Sequence, residues 1–144
     1  MALATIIANL TTVGAAVSGI TSSFDADDTP DGLSNAEVPA LLHFAAGGGN
    51  VRETFGGKMW RFRHRIRVLL AYKAAAGGRL EDSIGGIVGL VDSYVAAVRA
   101  ADTLSAACED AWVSSYGEPG SFEFAGVGWH GVEFVVEAEE YVQP

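Results

Sequence analysis

The stretch Trp60-Arg61-Phe62-Arg63-His64-Arg65-Ile66-Arg67-Val68 alternates arginine with mainly apolar side chains. Side chains on an extended backbone point to opposite faces in turn. This period of two therefore predicts a strand, with Trp60, Phe62, Ile66 and Val68 entering a core and Arg61, Arg63, Arg65 and Arg67 lining the other face. Near the far end, Val132-Glu133-Phe134-Val135-Val136-Glu137-Ala138-Glu139-Glu140 carries the complementary pattern, with Glu133, Glu137 and Glu139 on one parity. The two stretches are expected to share a sheet or to meet across a subunit boundary. Opposed charges across a sheet contribute only about 0.2 to 1 kcal/mol per pair, so they specify register or partner more than they stabilise.

Charge is segregated along the chain. The 144 residues carry 18 acidic and 9 basic groups, a formal net charge of −9, which argues against a surface that works by neutralising phosphate. Yet Lys58, Arg61, Arg63, Arg65, Arg67 and Lys73 place six of the nine basic residues in one short stretch. As a nucleic-acid strip this row lacks aromatic groups on its own face, because Trp60 and Phe62 point the other way and no base stacking is provided. Pairing with the glutamate strand is the coherent reading. The length predicts one domain, residues 1–144, able to bury a core without disulfides or metal.

Upstream of the arginine strand, Leu3, Ile6, Ile7, Leu10, Val13 and Val17 fall at helical spacing and predict an uncharged helix from 3 to about 20. An acidic loop, Ser22 to Asn35, follows with Asp25, Asp27, Asp28 and Asp31; its spacing lacks the EF-hand pattern, so it reads as solvated. Val38 to Phe44 predicts a short strand ended by Gly47-Gly48-Gly49, with His43 on its less buried side and a turn-forming loop from Gly47 to Gly57. That loop is not a phosphate cradle, since Met59 rather than Ser or Thr follows Lys58. Asp25 is the first charged side chain. No basic segment precedes it, and Asn9, Thr11, Thr12 and Ser18 dilute the apolar stretch, so a soluble cytosolic chain is expected rather than a leader or a membrane span.

Downstream the period changes to about 3.6. Leu80, Ile84, Ile87, Val91, Tyr94 and Val98 form one helical stripe, and Gly85, Gly86 and Gly89 in that helix point to close packing against the sheet. Asp102-Thr103-Leu104 is expected to cap a shorter helix reaching about Ala111, in which Cys108 is a core residue. Ala111 to Tyr116, Ser121 to Val127 and Gly131 to Val142 read as strands, with Trp129-His130-Gly131 at the bend before the last. The class is α+β: an antiparallel or mixed β-sheet packed against a long α-helix, with an N-terminal helix.

Catalytic patterns are missing from the sequence. His43, His64 and His130 are far apart and lack zinc-ligand spacing, there is no Gly-x-Ser-x-Gly elbow, and Cys108 has no evident histidine partner. No enzyme activity, cofactor or metal is expected.

The order of parts resembles tail terminator (tail completion) proteins of long-tailed bacteriophages. The likeness rests on the uncharged first helix, the acidic loop, Glu37-Val38-Pro39-Ala40-Leu41-Leu42, the long strand Trp60 to Tyr72, the helix Leu80 to Val98, Asp102-Thr103-Leu104 and the closing Gly131-Val132-Glu133-Phe134-Val135-Val136. It covers nearly the whole chain and is one of layout, not of a diagnostic motif. It implies a homo-oligomeric ring, usually a hexamer, at the head-proximal end of the virion tail, assembled in the host cytoplasm without membrane contact. Such a ring stops tail-tube polymerisation and joins the tube to head-completion or connector proteins. DNA passes through the lumen without sequence-specific binding. On that reading Arg61, Arg63, Arg65, Arg67, Glu133, Glu137 and Glu139 are candidate interface residues between subunits or stacked rings. Head-closure and tail-tube proteins of the same neck region share the design, and a small-molecule-binding α+β domain is the more distant alternative.

Overall fold

The computed structural model describes residues 3–52 and 59–142. Among these residues two α-helices, α1 (Leu3–Ala15) and α2 (Leu80–Ala100), accompany six strands: β1 (Ser22–Phe24), β2 (Ala40–Arg52), β3 (Trp60–Ala74), β4 (Asp110–Tyr116), β5 (Gly120–Phe124) and β6 (Val127–Val142). The sheet runs β1-β2-β3-β6-β4, and β5 pairs with the part of β6 that β4 leaves free. Among the described strands only the β1–β2 pair is parallel. The class is α+β with a mixed sheet, as the periodicities predict.

The parity of β3 sorts the two faces. His64, Ile66, Val68 and Leu70 are buried, while Arg63, Arg65 and Arg67 between them are exposed. Opposite them, Val132, Phe134, Val136 and Ala138 of β6 fill the same core, joined by Ile6, Ile7 and Leu10 of α1 and Ile87, Leu90, Val91, Tyr94 and Val98 of α2. Tyr94 anchors α2, its ring 4.7 Å from that of Phe134. By length and composition α2 could cross a membrane, but here its apolar stripe faces the core cluster. The polar groups of α1 serve packing: Asn9 Nδ2 donates to the Leu104 carbonyl at 2.9 Å, and the Thr11 carbonyl accepts from Ser23 Oγ at 2.8 Å. Both helices contribute to this one core, on one side of the sheet.

Several boundaries differ from the sequence reading. α1 stops at Ala15, because the chain reverses through Gly19 at φ 96° to feed β1; Val17 stays buried outside the helix. β2 does not end at the glycines. It continues to Arg52 across a bulge between Ala45 and Gly48, where Gly47 adopts φ 89°. The expected loop is therefore strand as far as Arg52, and its remainder, with Lys58, lies outside the described residues. His43 shares parity with Leu41 on the core face and is only 1% exposed, the reverse of the expectation.

No helix follows Asp102. Leu104, Ser105 and Ala106 have φ of 46°, 59° and 68°, a left-handed run that turns the chain back into β4. Leu104 and Cys108 are nevertheless buried, so the apolar spacing reported anchors of a turn. Finally, Trp129, His130 and Gly131 lie inside β6, and the bend falls earlier, at Ala125-Gly126, where both residues have positive φ in a two-residue hairpin loop.

Candidate functional site

The face of the sheet opposite the core cluster carries the arginine row. Antiparallel register places Arg63 across from Glu139, Arg65 across from Glu137, and Arg67 across from Val135 with Glu133 on the diagonal. Arg63 Nη2 donates to Glu139 Oε2 at 3.3 Å, and Arg61 Nε lies 3.5 Å from the other oxygen of that carboxylate. Arg67 Nε donates to Glu133 Oε1 at 2.8 Å. The two coded strands thus meet inside one subunit. Arg65 and Glu137 face each other without an ion pair within 4 Å among the described residues.

Arg61, Arg63, Arg65, Arg67, Glu133 and Glu137 line an open trough of about 660 Å³. Its walls add Gly48, Gly49 and Asn50 from β2 and Ser114 and Ser115 from β4. The sequence reading placed no aromatic group on this face. The structure corrects this: the Arg63 guanidinium lies 5.6 Å from the ring centroid of Trp112, which β4 places across from Glu137. The signal was the alternation of β4 itself, with Ala111 and Val113 inward and Trp112 outward; the identity of its neighbour was set by strand order, which no local pattern contains.

Four guanidiniums here share the face with Glu133, Glu137 and Glu139, and β4 places Asp110 across from Glu139, so both signs of charge are interleaved on it. A guanidinium offers five donors, and the hydrogen bonds of Arg63 to Glu139 and of Arg67 to Glu133 use one each. The trough can therefore accept additional carboxylate or phosphate oxygens. Its width and exposure suit a polymer surface better than an enclosed small molecule.

The histidines do not converge. His64 Nε2 donates to Glu140 Oε1 at 2.9 Å, a pair buried on the core side of the sheet. His43 Nδ1 donates to the Phe24 carbonyl at 2.8 Å, and burial holds its pKa below the ordinary value. Among the described residues no three His, Cys, Asp or Glu side chains gather as metal ligands. Burial pushes the Cys108 thiol up to about 11, which suits a core cysteine rather than a nucleophile.

Compared with protein-family models the chain has no match, and no curated protein matches it either.

Proposed function

We propose that this protein is a ring-forming tail terminator of a long-tailed bacteriophage, which ends tail-tube polymerisation and joins the tail to the head-completion or connector complex. The observation that carries this reading is the charged face of the sheet. Both helices contribute to one core, and the opposite face remains an open lattice of arginine and glutamate. A subunit that acts by assembly needs such a surface, polar enough to stay soluble alone and specific enough to choose its partner.

The element order supports the same reading: a first helix without charge, a strand approached through Val38-Pro39, the long β3, the long α2 and the closing β6. The turn after Asp102 departs from the expected short helix without altering that order. On this reading the protein does no covalent chemistry and needs no cofactor, and surplus acid around the lumen keeps passing DNA from sticking.

The test is the mass and shape of the purified full-length protein, by native mass spectrometry and negative-stain microscopy. A closed ring, a hexamer in the expected case, supports the proposal. Long self-assembled tubes would identify a tube protein instead, and a monomer indifferent to tail-tube protein would favour a binding domain.

A further inference from the structure

Among the described strands the sheet keeps two unpaired edges. β1 covers β2 only at residues 40–42, so the outer side of β2 from Ala45 onward has no partner strand, and β4 ends the sheet on the other side. The two edges lie at one height: cross-strand register links Gly49 through Arg63 and Glu139 to Asp110, and His43 through Val68 and Phe134 to Tyr116. They run in opposite directions, since β2, β3, β6 and β4 alternate. Unpaired backbone N–H and C=O groups are a template for another strand, and edges that avoid pairing carry lysine, proline or bulges. Ala45-Ala46-Gly47-Gly48-Gly49-Asn50 has neither charge nor proline, and all six residues are exposed. Its one blunting device is the bulge between Ala45 and Gly48, beyond which the ladder resumes as far as Arg52.

We propose that the β2 edge of one copy of this chain pairs antiparallel with the β4 edge of a second copy, so that the sheet continues from subunit to subunit. The inference rests on the ring reading and names the contact that joins its copies. Side-chain size selects the occupant. Gly48 is required inside the subunit, where a Cβ would strike the Arg63 carbonyl, and Gly47 takes a left-handed φ. Gly49 has neither reason: its φ is not left-handed, and a Cβ there would meet nothing within 4 Å. Glycine inside a strand weakens it and marks the close approach of another group. β4 carries side chains that fit, with Tyr116 61% exposed and Trp112 half-buried beside Arg63. Aromatic rings laid over edge glycines restore the packing those glycines lack. A two-fold pair of β2 edges would set glycine beside glycine and bury little side chain. Because the two edges differ, the contact is heterologous: each copy offers β2 to one neighbour and β4 to the other, an arrangement that closes into a ring when the rotation allows. A second copy in the same orientation continues the alternation of strand directions without a break.

The experiment follows backbone amide hydrogen exchange of the full chain by mass spectrometry, above and below the concentration at which it assembles, with sedimentation velocity reading assembly. Peptides covering residues 45–50 and 111–116 are both expected to exchange at least about tenfold more slowly in the ring than in the monomer. Gly49→Lys and Tyr116→Lys alter two positions with room for a side chain. Each is expected to keep the circular dichroism of the wild type and to weaken assembly at least about tenfold, which also supplies the monomer if the wild-type ring does not dissociate. Where a variant fails to fold, the wild-type exchange decides. A ring in which neither segment, or only one of them, gains protection overturns the contact and leaves the ring reading standing, as do two folded variants that assemble like the wild type. A wild type that stays monomeric at every concentration overturns the ring reading and this contact with it.

Discussion

Glu139 is shared by two arginines of the neighbouring strand: its carboxylate lies 3.3 Å from Arg63 Nη2 and 3.5 Å from Arg61 Nε, and its side chain is only 15% exposed. It is far more enclosed than Glu133, whose side chain is 44% exposed, and it ties two positions of β3 to one of β6. Replacing it with Gln removes charge from both contacts at once. We expect Glu139→Gln to lower stability by about 1 kcal/mol in low salt, with the loss shrinking in high salt as the remaining charges are screened. Denaturant titration at two ionic strengths measures it.

His43 sets a pH limit. Burial keeps it neutral in the folded chain, overcoming weaker opposite pulls from the Phe24 carbonyl and Asp25, so its folded pKa lies below the unfolded value of 6.5. The unfolded chain therefore binds a proton that the native chain refuses. The stability from the neutral ring is complete above pH 6.5 and declines as the pH falls from there toward the lowered folded value, by up to about 1.4 kcal/mol per pH unit. His43→Asn keeps a donor for the Phe24 carbonyl and does not titrate. Its denaturation midpoint is expected to vary less than the wild type's across that acidic window.

Glycine substitutions separate close packing from open helix. A Cβ on Gly131 would enter the Leu70 carbonyl and lie 2.9 Å from the Phe122 ring, so Gly131→Ala is expected to cost about 2 to 3 kcal/mol. Gly85 has nothing within 4 Å of its Cβ position on the exposed side of α2, and Gly85→Ala is expected to stabilise by up to about 1 kcal/mol. Gly86, whose Cβ would strike the Tyr72 hydroxyl, is expected to follow Gly131 in sign. Thermal melting orders the three.

Cys108 reports on the turn before β4. With its thiol pushed up to about 11 and its Sγ donating to the Asp102 carbonyl at 3.9 Å, it is expected to react slowly with a disulfide reagent in the native protein and rapidly in denaturant. Fast native labelling would mean that residues 101–109 open on their own.

The charge code of β3 and β6 was readable because alternation over many residues admits a single face assignment, and opposite signs on two such strands pair in few registers. The stripe of α2 was readable for the same reason at a different period. Glycine misled in both directions. At Gly47 it marks a bulge that lets β2 continue, and at Gly131 a close backbone approach within β6, where a local reading expects turns. Asp102-Thr103-Leu104 has the composition of a helix start, but the left-handed run beginning at Leu104 depends on returning the chain to β6, a tertiary demand. The trough was half readable: its arginines and glutamates lie in two local patterns, while Trp112, Asn50 and Ser114 join them only through strand order.

The central claim is that this subunit assembles into a ring that stops a tail tube. Its most direct test is to add the purified protein to polymerising tail-tube protein and to image tube lengths and ends by electron microscopy. The account predicts that elongation stops and that a ring caps one end of each tube. Unchanged tube growth with bare ends, in the presence of excess folded protein, would contradict it.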